Sequence, residues 1–269
     1  MKRVLLYGLA ALAAGLVALP LLLMLMNSFK GMAEAQQGFL ALPRDPGLAA
    51  WRLAWEKLSG SFGISLMLAV PAVLLSALLA ALNGFVLCKY RFRGERWVGL
   101  LLVLAFFLPI KVYLLPLAIT MARLGLDRSL GLLIAIHVIY SLPLALFFRN
   151  HFLAFPDELL QAARLDGAGF WRLLWRVVLP LSKPIFVVVL ILQFTTIWNE
   201  YLFGLVFGPE DARPITAALA QLSAQTETGA RAYPLEMAAA LLAATPTLLV
   251  YLLAGRHFTR GLVAGAVKG

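Results

Sequence analysis

Cysteine, histidine and acidic side chains are nearly missing from this chain. It has one Cys, three His and 13 Asp plus Glu in 269 residues. A single thiol, Cys88, can close no intrachain disulfide and build no zinc site, and it reads as a free buried thiol. Paired carboxylates and His-x-x-x-His are absent from the apolar runs, and Ser65, Ser76 and Ser141 are scattered. An intramembrane hydrolase, with its placed nucleophile and base, finds no support there. No G-x-x-x-x-G-K-[ST] occurs, and Gly265 to Lys268 has the wrong spacing, so the chain carries no phosphate-cradling ATPase loop. Charge of either sign is scarce, at 13% of residues against roughly a quarter in soluble domains. Period-two alternation is missing, which argues against strands. No internal repeat of apolar segments stands out, which weakens an ion-coupled secondary transporter without removing it as a rival.

What is present is oil. The chain is 62% hydrophobic with a mean hydropathy of +0.89. A soluble fold of this length could not cover that much apolar surface, so the expected class is an all-α polytopic membrane protein, one domain over residues 1–269. A spanning helix needs ~20 apolar residues to cross a ~30 Å core. Six runs qualify, at about 4–26, 62–87, 97–119, 130–150, 184–207 and 236–255. The first follows Lys2 and Arg3 as a signal peptide would, but it is longer than the ~7–15 residues of a signal core and lacks a small-x-small cleavage site. It is read as a retained span. Pro71, Pro109, Pro116, Pro143 and Pro246 fall inside runs, where neighbouring helices can re-satisfy the freed carbonyls.

The formal charge of +10 is a matter of topology. Fourteen Lys and Arg, among them Lys89, Arg91, Arg93, Arg96, Arg149, Arg172 and Arg176, fall on one side of the six runs with only four acids. The other side balances to zero. The positive side is expected to be cytoplasmic, with both termini inside. Nucleic acid is not needed as a partner, whereas membrane lipid is.

The connection between runs four and five, residues 151–183, is the charged exception. PDELLQAARLDG (156–167) predicts a short helix over about 156–166. Pro156 suits a first helical position, Asp157 and Glu158 complement the dipole, and Gly167 can stop the helix with φ > 0. Asp157, Gln161 and Arg164 share one face, and Leu159, Leu160 and Ala163 another. Ala162 and Ala163 leave a surface that another backbone can approach. Further on, Trp171, Leu174, Trp175 and Val178 form one stripe beside Arg172 and Arg176, the pattern of a helix lying in the membrane interface. On these residues alone, a docking plug and an ordinary amphipathic loop are both open.

At this point the chain resembles a family, the inner-membrane permease subunits of ABC importers. Their cytoplasmic signature is Glu-Ala-Ala, three residues, Gly, nine residues, Ile-x-Leu-Pro. Here it reads Gln161-Ala162-Ala163, three residues, Gly167, nine residues, Val177-Val178-Leu179-Pro180. Gln161 and Val177 depart from the pattern. GFVLCKYRFRG (84–94), LPLAITMARLGLDRSLGLL (115–133), WNEYLFGLVF (198–207) and the tail GLVAGAVKG (261–269) are similar to carbohydrate permeases of the maltose/glucose type. FRNHFLAFPDELLQAARLDGAGFW with LQFTTIWNEYLFGLVFG looks most like the glucose/mannose-type members. The resemblance implies half of a heterodimeric pore with a second permease subunit. Two ATPase subunits would supply ATP and magnesium chemistry, with no cofactor in this chain, and an extracytoplasmic sugar-binding protein would deliver the sugar. It further implies that the short helix is the coupling helix, with Glu158, Gln161, Ala162, Ala163, Asp166 and Gly167 against the ATPase, joined by Lys268 and Gly269 of a small, flexible tail. The substrate implied is a monosaccharide such as glucose or mannose, with an oligosaccharide or glycerol phosphate as alternatives.

Other candidates are weaker. Lys111 and Glu200 are charges inside runs, each costing about 2.5–3.5 kcal/mol at a helix centre. They are expected in the translocation path with His137 and Asn199, either as a Lys111–Glu200 pair or separately against a wet cavity. Otherwise Lys111 snorkels to the headgroups, Glu200 lies outside the core and His137 is a packed core residue. Trp198 and Tyr201 read as belt aromatics or sugar-stacking rings. Trp51 and Trp55 suit an interfacial helix outside. The polar stretch 208–235 is a candidate contact for the binding protein.

Overall fold

The computed structural model describes the backbone of residues 2–126, 128–226 and 233–266, with side chains except at 2, 110, 225–226 and 256–266. Among the described residues every regular element is helical. In chain order these are α1 (Lys2–Ser28), α2 (Met32–Gln37), α3 (Ala49–Lys89), α4 (Glu95–Phe107), α5 (Ile110–Arg123), α6 (Leu130–Tyr140) and α7 (Ala145–Leu153). After them come α8 (Asp157–Leu165), α9 (Phe170–Leu173), α10 (Leu179–Leu181), α11 (Lys183–Asn199), α12 (Leu202–Phe207), α13 (Ile215–Thr226) and α14 (Tyr233–Ala266). Four helical stretches are long and apolar enough to cross a membrane: Arg3–Ser28, Ala49–Lys89, Leu130–Leu153 and Tyr233–Gly255. Two broken pairs, α4 with α5 and the segment 170–181 with α11, pass the same test together but bend by more than 40° at their breaks.

The chain packs as two compact units. One comprises Met1–Ile64 and Pro214–Pro246. In it α1 is apolar all round, and from Arg3 to Leu22 every side chain except Ala18 is exposed. Past the end of α1 the buried Lys30 uses its ammonium fully. It donates to Asn27 Oδ1 at 2.9 Å and to the carbonyls of Gly38 at 2.8 Å and Phe39 at 3.3 Å. Trp51 donates its indole N–H to Ser28 Oγ at 3.2 Å and packs on Phe29. It therefore ties α3 to the chain after α1. The expected separate interfacial helix around Trp51 and Trp55 is in fact the start of α3, because nothing between Ala49 and Lys89 breaks the helix, not even Pro71. Alanines and leucines of α3 (Ala50, Ala54, Leu58) meet Leu222, Leu235, Ala238 and Ala239 in this unit's core.

The other unit comprises Ser65–Arg213 and Thr247–Gly269. Its core gathers Ala77, Ala80, Ala81 and Phe85 of α3 with Phe148 and Phe152 of α7, Leu160, Leu173, Leu174, Val178 and Val189. The small residues of α3 let α7 come close, and the tightest approach is at Gly84. A Cβ there would stand 2.6 Å from Phe148 Cβ, 2.7 Å from the Ala145 oxygen and 2.8 Å from the Arg149 nitrogen. Cys88 is a free thiol, half-buried rather than fully buried. The run 130–150 becomes α6 and α7 around a tight turn at Leu142–Leu144, where Pro143 interrupts the hydrogen-bond ladder. Run three breaks at Leu108–Pro109 and run five at Glu200. Run three was expected as one span with a tolerable kink at Pro109, and run five as one unbroken span.

Replacing Gly84 with Ala should lower the thermal midpoint of the detergent-purified protein by the equivalent of about 1–3 kcal/mol, because two of the clashing atoms are backbone. An unchanged midpoint would mean that α3 and α7 do not pack at this glycine.

Candidate functional site

The charged connection forms a helix, α8, one residue shorter at each end than the expected 156–166. Pro156 has φ −58° and ψ 129° and stands just before the helix as its N-cap, so Asp157 takes the first turn. The other end closes as foreseen. Gly167 has φ +79° and donates its N–H to the Arg164 carbonyl at 3.0 Å, while Ala168 donates to the Ala163 carbonyl at 3.0 Å. These two bonds are the Schellman closure, and they occupy carbonyls that would otherwise lack donors.

On α8, Leu160 alone is buried and Ala163 is half-buried. Glu158, Leu159, Gln161, Ala162, Arg164, Leu165 and Asp166 are exposed, Leu165 by 89%. Leu159 thus lies on the outward face, not with Leu160. Leu160 enters the phenylalanine core that joins α3 and α7. The two ends of α8 are held by the end of α3. Lys89 Nζ donates to Asp157 Oδ1 at 2.7 Å and to the Phe155 carbonyl at 3.2 Å. The Arg164 guanidinium sits 5.6 Å from the centre of the Tyr90 ring. Tyr90 in turn packs edge-on against Phe85 and Phe170. Lys89 is largely covered but Asp157 is open to solvent, and an ion pair with one end in water is worth ~0–1 kcal/mol, so the clamp's value is mainly positional.

After α8 the chain passes through α9, a π-helical turn at Leu174–Val178 and α10. The expected single stripe of Trp171, Leu174, Trp175 and Val178 divides here. Leu174 and Val178 are buried in the core, and Trp171 and Trp175 are 62% and 55% exposed beside exposed Arg172 and Arg176. Apolar residues alternate between two adjoining rows, the inner one packed and the outer one aromatic and basic.

The expected path residues do not come together as a charge pair. Lys111 lies just after the Leu108–Pro109 break, is exposed, and makes no ion pair with a described residue. Glu200 ends α11 with an extended backbone (φ −77°, ψ 122°). Its carboxylate accepts the N–H groups of Leu202 at 2.8 Å and Phe203 at 2.7 Å, and so caps α12. Asn199 is exposed and donates back to the Thr195 carbonyl at 2.9 Å. His137 is buried with its ring edge-on to Phe203 at 5.5 Å, a packing position. Trp198 is 2% exposed and stacked on Phe194, which removes it from the aromatic belt, while Tyr201 stays exposed. Lys268 and Gly269 lie outside the described residues, and α14 reaches Ala266, so 261–266 continue a helix where a flexible tail was expected.

Sequence reasoning missed Arg128. Its guanidinium donates to the carbonyls of Val206 at 2.8 Å and Leu205 at 2.7 Å and to Glu210 Oε1 at 2.7 Å. A cation closes the carbonyl end of α12 while Glu200 closes its N–H end, as the helix dipole favours. The signal available was Asn-Glu-Tyr in the middle of an apolar run. Among the described residues no group of His, Cys, Asp or Glu gathers as a metal site.

Residues 48–263 match the family described as the binding-protein-dependent transport system inner membrane component, and the chain belongs to it. The family is a membrane permease, not an enzyme. The chain is 42% identical over 190 residues to a probable ABC transporter permease protein of Pyrococcus horikoshii, covering 69% of this chain and 68% of that one. It is 32% identical over 287 residues to the xylose/arabinose import permease protein of Haloferax volcanii, covering 97% and 92%. In fold it is similar to a crystal structure of a bacterial ABC transporter involved in the import of the acidic polysaccharide alginate. The TM-score is 0.79 and the identity 20%, covering 96% of both chains.

Gly167→Ala isolates the backbone cap. Its Cβ would meet nothing within 4 Å, so the cost is that of the left-handed φ alone, about 1–2 kcal/mol. Amide exchange across α8 should quicken about 5- to 30-fold, with a smaller change for Gly167→Asn. Equal exchange in both variants and the parent would mean that the cap does not hold α8.

Proposed function

We propose that this chain is the permease subunit of an ATP-driven sugar importer in the cytoplasmic membrane, and that α8 is the helix through which a separate ATPase drives it. The observation that carries the reading is the construction of α8. It is exposed along nearly all its length, closed at its carbonyl end, and anchored by Leu160 and by the Lys89 and Arg164 contacts to the ends of longer helices. A segment that must receive force from another protein needs that combination of open face and stiff root. Glu158, Gln161, Ala162, Ala163, Asp166 and Gly167 would face the ATPase, and Lys268 and Gly269 would add to the contact.

In this reading the chain is one permease domain crossing the membrane six times, with each broken pair counting as one span and both termini inside. The bias of Lys and Arg toward one set of connections supports that orientation. The apolar, exposed α1 suits lipid or a second permease subunit. Two ATPase copies would contribute ATP and magnesium, and an external binding protein would deliver the substrate. Lys111 and Asn199, both exposed, are the candidates for a wet path, with Glu200 and His137 shaping the wall behind them. A carbohydrate substrate is supported by the resemblance of the tail and of run five to sugar permeases. The finer reading is a monosaccharide of the glucose or mannose kind. The name of the Haloferax relative favours a pentose as the second reading.

Uptake by the assembled importer in vesicles should require ATP and the binding protein, and a panel of glucose, mannose, xylose, arabinose and oligosaccharides should separate the substrates. Uptake without ATP under an ion gradient would sink the reading. Ala162 is exposed, so Ala162→Trp should leave the fold intact, yet cut substrate-stimulated ATP hydrolysis and uptake by at least about tenfold, the effect of 1.4 kcal/mol. Coupled uptake at the parental rate would remove α8 from the role.

A further inference from the structure

The turn between α3 and α4 carries a feature that the coupling function does not use. Arg91, Arg93 and Arg96 are exposed, Arg149 of α7 is half-buried, and none of the four makes an ion pair with a described residue. Two cavities meet there. One, of about 550 Å³, is lined by Arg91, Gly94, Glu95, Arg96 and aromatic neighbours. The other, of about 310 Å³, shares Glu95 and Arg96 and runs between Leu87, Leu100, Val103 and Leu146, with Arg149 on its wall. Gly99 leaves this second cleft open, since a Cβ there would meet nothing within 4 Å. Trp97, on the wall of the first cavity, is 71% exposed.

A polar, guanidinium-lined mouth that continues into an apolar cleft along a spanning helix has the shape of one ligand class. We propose that this turn binds an anionic phospholipid, with its phosphodiester between Arg91 and Arg96 and one acyl chain in the cleft beside Gly99, Leu100 and Val103. Guanidinium forks match phosphate oxygens in geometry and charge. Glu95 is the acid lining both cavities, and it opens α4, where the helix dipole offsets its charge. Arg93 and Arg149 add to the field, and basic clusters at the cytoplasmic edge of a span attract anionic lipid. Trp97 suits the headgroup level. A protein partner would match the basic mouth but has no use for the apolar cleft. The inference rests on the orientation proposed above, which makes this turn cytoplasmic.

The test uses the assembled importer in nanodiscs of phosphatidylcholine with and without phosphatidylglycerol, read by native mass spectrometry. The parent should retain phosphatidylglycerol over phosphatidylcholine by about tenfold or more, and Arg91→Gln with Arg96→Gln should abolish that preference. Gly99→Leu keeps every arginine and fills the cleft, so it should lower retention as well. Retention that is unchanged in both variants, or equal for the two lipids in the parent, overturns the proposal. Loss of the ATPase from the double variant with lipid retained would make the turn a protein contact and overturn it too. In sealed vesicles of known orientation, Phe92→Cys in a Cys88→Ser background separates the two readings. Labelling by an impermeant maleimide from outside refutes the orientation, whereas labelling only from inside, with indifferent lipid retention, refutes the lipid site alone.

Discussion

Hydrocarbon offers no hydrogen bonds, so every polar group taken into it must find a partner within the protein. Much of this structure follows from that constraint. Asn83, Thr120, Thr195, Thr196, Asn199 and Thr245 each donate to a carbonyl four residues back along their own helix. Ser182 does the same, and Gln193 of α11 donates to Ser76 of α3 at 3.3 Å. Where the chain breaks a helix, a charged side chain takes over the freed backbone groups. Glu200 and Arg128 do so at the two ends of α12, and Lys30 gathers the carbonyls of Gly38 and Phe39. Glu200, which looks anomalous in an apolar run, is thus structural.

The region of α8 obeys the opposite rule. In the proposed orientation α8 stands outside the membrane, where water satisfies its exposed face, so it can leave most of its residues unpacked and be defined by its ends. What it lacks in burial it gains in direction. Leu160 points into a core of Phe85, Phe148 and Phe152, whose rings stack and edge against one another. Interiors of this density do not compress. A displacement of α8 must therefore be carried by α3 and α7 together, and Gly84 holds those two helices in direct backbone contact.

The helical class, the rough placement of the apolar runs and the glycine stop of α8 were legible in the sequence, because each depends on local composition. Length and hydropathy mark a run, acids mark a helix start, and a glycine marks a left-handed stop. What was not legible depends on partners far along the chain. The breaks at Leu108–Pro109 and Glu200 look like tolerable interruptions until the capping groups are seen. Nothing in Arg128 itself announces that it reaches Leu205 and Val206, nearly eighty residues on. The split of the tryptophan row from the Leu174 row comes from a π-helical turn, which shifts the register that a 3.6-residue period assumes. Lys111 and Glu200 read alike as charges inside runs, yet one is exposed and the other accepts from backbone N–H groups. Position within a run says nothing about which way a broken helix turns.

Leu165 is 89% exposed at the tip of α8, with Leu159 exposed behind it. Leucines left bare on a rigid projection are tolerated in the finished assembly and conspicuous before it. In the proposed orientation, a copy made in excess of its companions would carry these residues into the aqueous compartment, where proteases and chaperones sample uncovered apolar residues. If α8 docks as proposed, the side chains that meet the ATPase would then mark an unaccompanied copy for removal. The abundance of the chain would follow the supply of its companions without any separate regulator of synthesis.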